Sequence, residues 1–132
     1  MGDNFSVITV HAKAEGGVKS GVTVRAGEAF TVAGTGRASY DAGRSMTYPD
    51  GTQYVNGKYQ GANLHAGAVL KGAPVGMLIA RVGSGPWLAV GSTQTIAAWD
   101  AGEVIVAYND LPKDYGNNTG EYTVMVENHG KI

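Results

Sequence analysis

No run in this chain repeats apolar residues every three or four positions over a length that could pack as a helix. Short β-branched runs recur instead, most of them followed by glycine-containing turns. Phe5–His11 carries Val7, Ile8, Thr9 and Val10, and Gly16-Gly17 turns the chain. Val18–Arg25 then places Val18, Val22 and Val24 on one parity, the period of a half-buried strand. Ala29–Ala33, Val75–Val82, Trp87–Val90, Thr93–Ala97, Glu103–Tyr108 and Glu121–Glu127 read the same way. The Gly34-Thr-Gly36 step has no helical run behind it, so it predicts a bulge or a close backbone approach rather than a phosphate loop. Residues 37–73 are turn-rich and irregular, with Tyr48-Pro-Asp-Gly51 and Asn56-Gly57 as the strongest turns. Gln53–Val55 and Lys58–Gln60 are possible short hairpin arms there. Eight or so short strands with glycine turns predict an all-β fold, a small antiparallel β-sandwich of the jelly-roll or galactose-binding-domain kind. With neither repeat nor linker, residues 1–132 are expected to form a single domain.

Composition narrows the function. Charged residues make up 16% of the chain and the net charge is −1, without a Lys/Arg cluster, which argues against nucleic acid. No cysteine is present, so disulfides, thiolate metal sites and cysteine nucleophiles are excluded together. No apolar stretch approaches the ~18 residues of a membrane span. The start, Met1-Gly-Asp-Asn-Phe-Ser6, has no basic region followed by an apolar core. The expectation is a cytoplasmic protein, or one released without a visible signal peptide. Met1-Gly2 superficially matches a myristoylation start, but Phe5–Val10 already reads as a strand.

His11, His65 and His129 are scattered and show no paired ligand spacing, so zinc is not indicated. Gly83-Ser84-Gly85 does not fit a nucleophile elbow, and nothing selects a carboxylate pair among Asp50, Glu103 and Asp110. The expectation is a non-enzyme. Trp87 and Trp99 are expected to pack at strand ends.

One connection stands apart. Residues 108–121, Tyr-Asn-Asp-Leu-Pro-Lys-Asp-Tyr-Gly-Asn-Asn-Thr-Gly-Glu, lie between two strand runs that two to five residues could join as a hairpin. The loop instead holds Asn109, Asp110, Asp114, Asn117, Asn118 and Thr119, with Pro112, Gly116 and Gly120 to bend it. Carboxylate, amide and carbonyl oxygens are the ligands of a hard cation such as Ca²⁺. Asp, Asn and Gly are also what ordinary turns are made of, so composition alone leaves both readings open.

The wording of this loop, Tyr108-Asn-Asp-Leu-Pro followed by Tyr115-Gly-Asn-Asn-Thr-Gly and Tyr122-Thr-Val, resembles the signature of the PA-IL-like family of bacterial galactophilic lectins. Ala38-Ser-Tyr40 and Gly76-Met-Leu-Ile-Ala-Arg-Val-Gly-Ser-Gly85 are similar to further family blocks, in the same order, over roughly residues 20–127. The resemblance implies a β-sandwich lectin, usually a homotetramer, in which bound Ca²⁺ chelates two vicinal hydroxyls of galactose. It implies Tyr40, Asp110, Asp114, Asn117 and Asn118 as calcium ligands, Tyr40 and Asp114 through their carbonyls. It implies sugar contacts by Tyr40, Asp110, Leu111, Asp114 and Asn117. Asp114 stands where the family usually has Thr. The family's His-Pro-Asp-Gln stretch over the sugar O6 has no unique counterpart: one alignment puts Asn63 and His65 there, another Tyr48. The expected partners are galactose-terminated extracellular glycans. The rivals are a carbohydrate-binding module of a larger glycan-active enzyme and an interaction domain that calcium only rigidifies.

Overall fold

The structure is a computed structural model that describes residues 4–131; the Met1-Gly2 start lies outside them. Eleven strands run β1 (Phe5–His11), β2 (Val18–Val24), β3 (Glu28–Ser39), β4 (Ser45–Thr47), β5 (Thr52–Val55), β6 (Lys58–Ala62), β7 (Leu78–Val82), β8 (Leu88–Ala89), β9 (Thr93–Ala97), β10 (Gly102–Tyr108) and β11 (Thr119–Lys131). They form two antiparallel sheets. The larger has the order β1-β11-β3-β4-β5-β6, with β9 also pairing β3, and the smaller β2-β10-β7-β8. This is the β-sandwich that the period-2 runs predict. Among the described residues no helix is long and apolar enough to cross a membrane.

Alternation decides the layers. Along β11, Tyr122, Val124 and Val126 are buried between the sheets while Glu121 and Thr123 face out. Phe30 and Val32 of β3 and Val10 of β1 join them, against Val22, Val24, Leu78, Ala80, Val104, Val106 and Tyr108 of the smaller sheet. Each fully buried aliphatic side chain contributes about 1.5–3 kcal/mol to holding the sheets together.

The longest pairing is β3 with β11, from Thr119↔Ser39 to Lys131↔Glu28. It runs straight through the Gly34-Thr-Gly36 step, so β3 extends well past Ala33. The expected close approach is there: a side chain on Gly36, whose φ is +113°, would meet the Glu121 carbonyl at 2.9 Å. Inside the turn-rich 37–73 segment the arms expected about Asn56-Gly57 are β5 and β6, paired antiparallel, while β4, three residues long, is too short to stand out as periodic.

Two expectations are corrected. Trp99 does not pack: it is 69% exposed, whereas Trp87 is half-buried beneath Arg81, whose guanidinium carbon lies 4.8 Å from the indole centroid. The connection after Tyr108 is not an over-long hairpin, because β10 and β11 lie in different sheets. It is a crossing, and stacked sheets lie roughly 10 Å apart, which explains its length without any appeal to a ligand.

Candidate functional site

The crossing is held open from inside. Tyr115 is buried, and its hydroxyl donates to the Tyr108 carbonyl at 2.8 Å while accepting the Asp110 N–H at 3.2 Å. Burial pushes the Tyr115 phenol up to about 12. Tyr115–Asn117 form one 3-10 turn, and the Asn118 N–H closes it on the Tyr115 carbonyl at 3.1 Å. Lys113 takes a positive φ of 72° and donates its N–H to Glu15 Oε2 at 3.1 Å.

Asn109, one of the loop's oxygen-bearing side chains, is engaged elsewhere. Fully buried, it accepts the Leu70 N–H at 2.9 Å and donates to the carbonyls of Leu70, Ala73 and Pro74 at 3.1–3.2 Å. Its main chain pairs with Met77 and Gly76 at 2.9 and 2.7 Å. One residue thereby fastens segment 63–77 to the mouth of the loop. The Val69 N–H adds a bond to the Asp110 carbonyl at 3.0 Å.

Tyr40 arrives from the other sheet. It follows Ser39, which pairs with Thr119, so continuing the register sets Tyr40 opposite Asn118. Gly120 allows the approach: at φ +82°, a side chain there would meet the Arg37 carbonyl at 2.8 Å. The Ala42 N–H donates to the Asn117 carbonyl at 2.9 Å. Asp41 pins the same bend, accepting from Ser39 Oγ, Ser45 N and Ser45 Oγ at 2.7–2.9 Å. Ala42 has a positive φ of 61°. Of the three non-glycine residues with positive φ among the described residues, two therefore border this site, where such strain tends to collect.

At the centre are two oxygens without protein partners. Asp110 is 3% exposed; its Oδ1 accepts the Leu111 N–H at 2.7 Å, and its Oδ2 is buried and unpaired. Asn118 is fully buried; its Nδ2 donates to the Ala12 carbonyl at 2.8 Å, and its Oδ1 is unpaired. Burial raises the Asp110 carboxyl above the usual range, with Asp114 and Glu15 adding to the rise. The Leu111 N–H and the neighbouring Asn118 side chain pull the other way. A buried unpaired acceptor costs about 1–3 kcal/mol, so two side by side mark a place shaped for a donor or a cation. Among the described residues no three His, Asp or Glu side chains converge as a metal-holding group. The available set is one carboxylate with amide and main-chain oxygens, the chemistry of a hard cation.

Asp110, Asn117, Asn118 and Tyr40 thus come together. Asp114 lies in the same loop with its side chain exposed, and its N–H bonds the Leu111 carbonyl at 3.0 Å. Leu111 is half-buried. Leu111 and His65 flank Gly67, at 3.5 and 3.3 Å from a side chain built there, and His65 Nδ1 accepts the Gly67 N–H at 3.0 Å. Asn63 sits lower on that segment, its carbonyl taking the Val75 N–H at 2.8 Å. Tyr48 lies on the β4–β5 turn against Tyr54, ring centroids 6.2 Å apart, and its ring and main-chain contacts go to that hairpin rather than to the loop. Sequence reasoning passed over Gln53, whose Oε1 accepts the Tyr40 hydroxyl at 2.6 Å. Nothing in the sequence sets this amide apart; its buried, inward place in β5 does.

Beneath the site Thr47 Oγ1 joins the Tyr108 and Tyr122 hydroxyls, each at 2.9 Å, and Tyr122 donates to the Gly76 carbonyl at 2.7 Å. Burial raises both phenols far above their ordinary value, so they stay neutral donors.

Comparison with known proteins places the chain beside lectins. The family model described as PA-IL-like protein matches residues 7–131. A solved structure described as the EclA N-terminal domain, a PllA-like lectin, is similar at 25% identity with a TM-score of 0.72, covering 96% of this chain and 98% of that one. A search of curated proteins found no match.

Proposed function

The chain belongs to the PA-IL-like protein family, and we propose that it is a non-enzymatic lectin that binds galactose-type sugars through calcium. The similar solved domain is described as a lectin, which supports carbohydrate binding as the general activity. The observation that carries the calcium reading is the pair of buried, unpartnered oxygens, Asp110 Oδ2 and Asn118 Oδ1. Asp110 and Asn118 would hold the ion with their side chains, aided by the Asn117 amide and the carbonyls of Tyr40 and Asp114. Bound calcium would supply a positive centre on which two vicinal sugar hydroxyls can replace water.

The remaining work belongs to the protein. The Asp110 carboxylate accepts from the hydroxyl pair and the Asn117 amide can accept from or donate to it, which fixes the pair that fits. Leu111 offers an apolar surface, and His65 beside it offers a ring nitrogen for the far side of the sugar. The bend at Asp41 and the clamp at Asn109 hold these groups in place before ligand arrives, so little ordering cost remains at binding. The partners proposed are galactose-terminated glycans outside the cell. A single small-sugar site of this kind is weak, and several on one particle raise avidity.

Titration calorimetry with galactose decides the matter. Binding is expected with Ca²⁺ present and is lost after EDTA treatment, then restored by excess Ca²⁺. Equal heats with and without the ion would overturn the coordination mechanism. A glycan array with no calcium-dependent signal would overturn the sugar class.

A further inference from the structure

One corner of the larger sheet is built inside out. Strands β4 and β5 turn Ser45, Thr47 and Gln53 inward, where all three are buried, and leave Met46 and Tyr54 on the outer face. Along β11 the order is the reverse, with apolar side chains inward and polar ones outward.

Strand pairing gathers further aromatic rings on that outer face. Met46 pairs with Tyr54, and Tyr54 with Tyr59. The second pair depends on a register shift between Gln53 and Tyr54. Continuing the Thr52↔Ala62 and Gln53↔Gly61 pairs would set Tyr54 against Gln60 instead. Tyr48 completes a run of three rings. Its centroid lies 6.2 Å from that of Tyr54, which lies 5.6 Å from that of Tyr59, at interplanar angles of 80° and 70°. Rings at such angles meet edge to face and do not cover one another, and Tyr54 and Tyr59 stay 40% and 61% exposed. A cross-strand aromatic pair steadies a short hairpin, but that role calls for neither a third ring nor a bulge. Apolar surface gathered on the solvent side of a sheet, with polar groups behind it, marks a place where something binds.

We propose that the face formed by Tyr48, Tyr54 and Tyr59 is a second carbohydrate surface, which takes pyranose rings by stacking and needs no ion. It rests on carbohydrate as the class of ligand and not on the calcium site. Galactopyranose suits it. The C–H bonds at C3, C4 and C5 turn to one side of that sugar and form an apolar patch for the electron-rich face of a tyrosine ring. The phenol hydroxyls can donate to or accept from the hydroxyls at the sugar's rim. Three adjacent strands cover about 10 Å, the scale of a disaccharide rather than of one ring. The surface is continuous with the site already described, because Gln53, on the inward side of the same strand, accepts the Tyr40 hydroxyl at 2.6 Å. A glycan that fills both places is held twice, which sets it apart from a free monosaccharide.

The probe is a linear tetrasaccharide of galactose, and the readout is the ring resonances of Tyr54 and Tyr59 in the presence of EDTA. Millimolar tetrasaccharide is expected to shift both. Tyr59→Ser is expected to weaken this binding about tenfold, the loss of one stacked ring, and Tyr59→Phe to keep it. The wild-type shifts carry the test even where Tyr59→Ser loosens the hairpin. Ring resonances that stay fixed in the tetrasaccharide overturn the inference. So does Tyr59→Ser binding like the wild type, or Tyr59→Phe binding as weakly as Tyr59→Ser. Shifts that follow protein concentration rather than sugar also overturn it, since a second copy then covers the face. Calcium-dependent heats with galactose are a separate readout: their loss alone sinks the proposed coordination and leaves this surface standing.

Discussion

Replacing Asp110 with asparagine separates the cost of the site from its use. The Asp110 Oδ2 and Asn118 Oδ1 acceptors are both buried without protein partners. An amide at position 110 keeps the oxygen that accepts the Leu111 N–H and gains a donor that the Asn118 oxygen can take. Each orphaned acceptor costs about 1–3 kcal/mol, so relieving the pair is expected to stabilise the metal-free protein by about 2 kcal/mol. For a chain of this length that is a rise of roughly 6–10 °C in Tm. The proposed calcium site, at free ion a hundredfold above its Kd, is expected to add about 2.7 kcal/mol to the wild type, a comparable rise. Asp110→Asn is expected to show no calcium shift at all. The pH dependence carries the same sign. Burial raises the folded pKa of Asp110, so the metal-free wild type binds this proton more tightly when folded. Its contribution to stability is full below the unfolded pKa, about 3.9, and is lost as pH rises through the folded value. The advantage of the variant therefore opens with rising pH and shrinks in acid. Differential scanning calorimetry with EDTA and with calcium, at neutral and acid pH, measures all of this. A metal-free variant that melts at or below the wild type, or one that keeps the calcium shift, refutes the reasoning.

Other perturbations follow from the same contacts. Asn109→Ala frees the Leu70 N–H and three carbonyls, and is expected to cost about 3 kcal/mol and to speed exchange of the Leu70 amide while weakening sugar binding. Thr47→Val strands the Tyr108 hydroxyl and is expected to lower stability by about 1–3 kcal/mol in thermal melts. Gly120→Ala forces a side chain to within 2.8 Å of the Arg37 carbonyl at positive φ; it is expected to cost at least about 1–2 kcal/mol and to lower calcium affinity, read by calorimetry.

Much of this fold is legible in the chain because alternation is a strong signal where one face is buried. Phe5–His11 and Thr93–Ala97 emerge with the bounds that the sequence predicts. β5 and β6 emerge within a residue or two as the arms about Asn56-Gly57, read from the turn rather than from alternation, whereas the three-residue β4 leaves too few alternations to count. The loop's oxygens were legible as residue types but not as roles. Asn109 and Asn118 look alike in sequence; one is spent on a clamp and the other keeps a bare oxygen, and only burial and partners distinguish them. Gln53 escaped notice because its link to Tyr40 joins positions thirteen apart across two strands, and a lone amide in a turn-rich stretch signals nothing by itself. The loop's length points to ligand chemistry only while a hairpin is assumed; a crossing between sheets demands it in any case.

That crossing has a kinetic consequence. The proposed ion would touch Tyr40 at the end of one sheet and residues that leave the other, so it spans the sandwich like a bolt through two plates. Four of its five proposed ligands lie in the loop, but that loop takes its shape only when the plates meet, through contacts such as the Ala42 N–H on the Asn117 carbonyl and Asn118 on the Ala12 carbonyl. Contacts that form only after the folding barrier slow unfolding and leave folding almost untouched. Calcium is therefore expected to lengthen the lifetime of the folded protein rather than to hasten its formation, a property suited to a binder that must persist wherever its glycans are found.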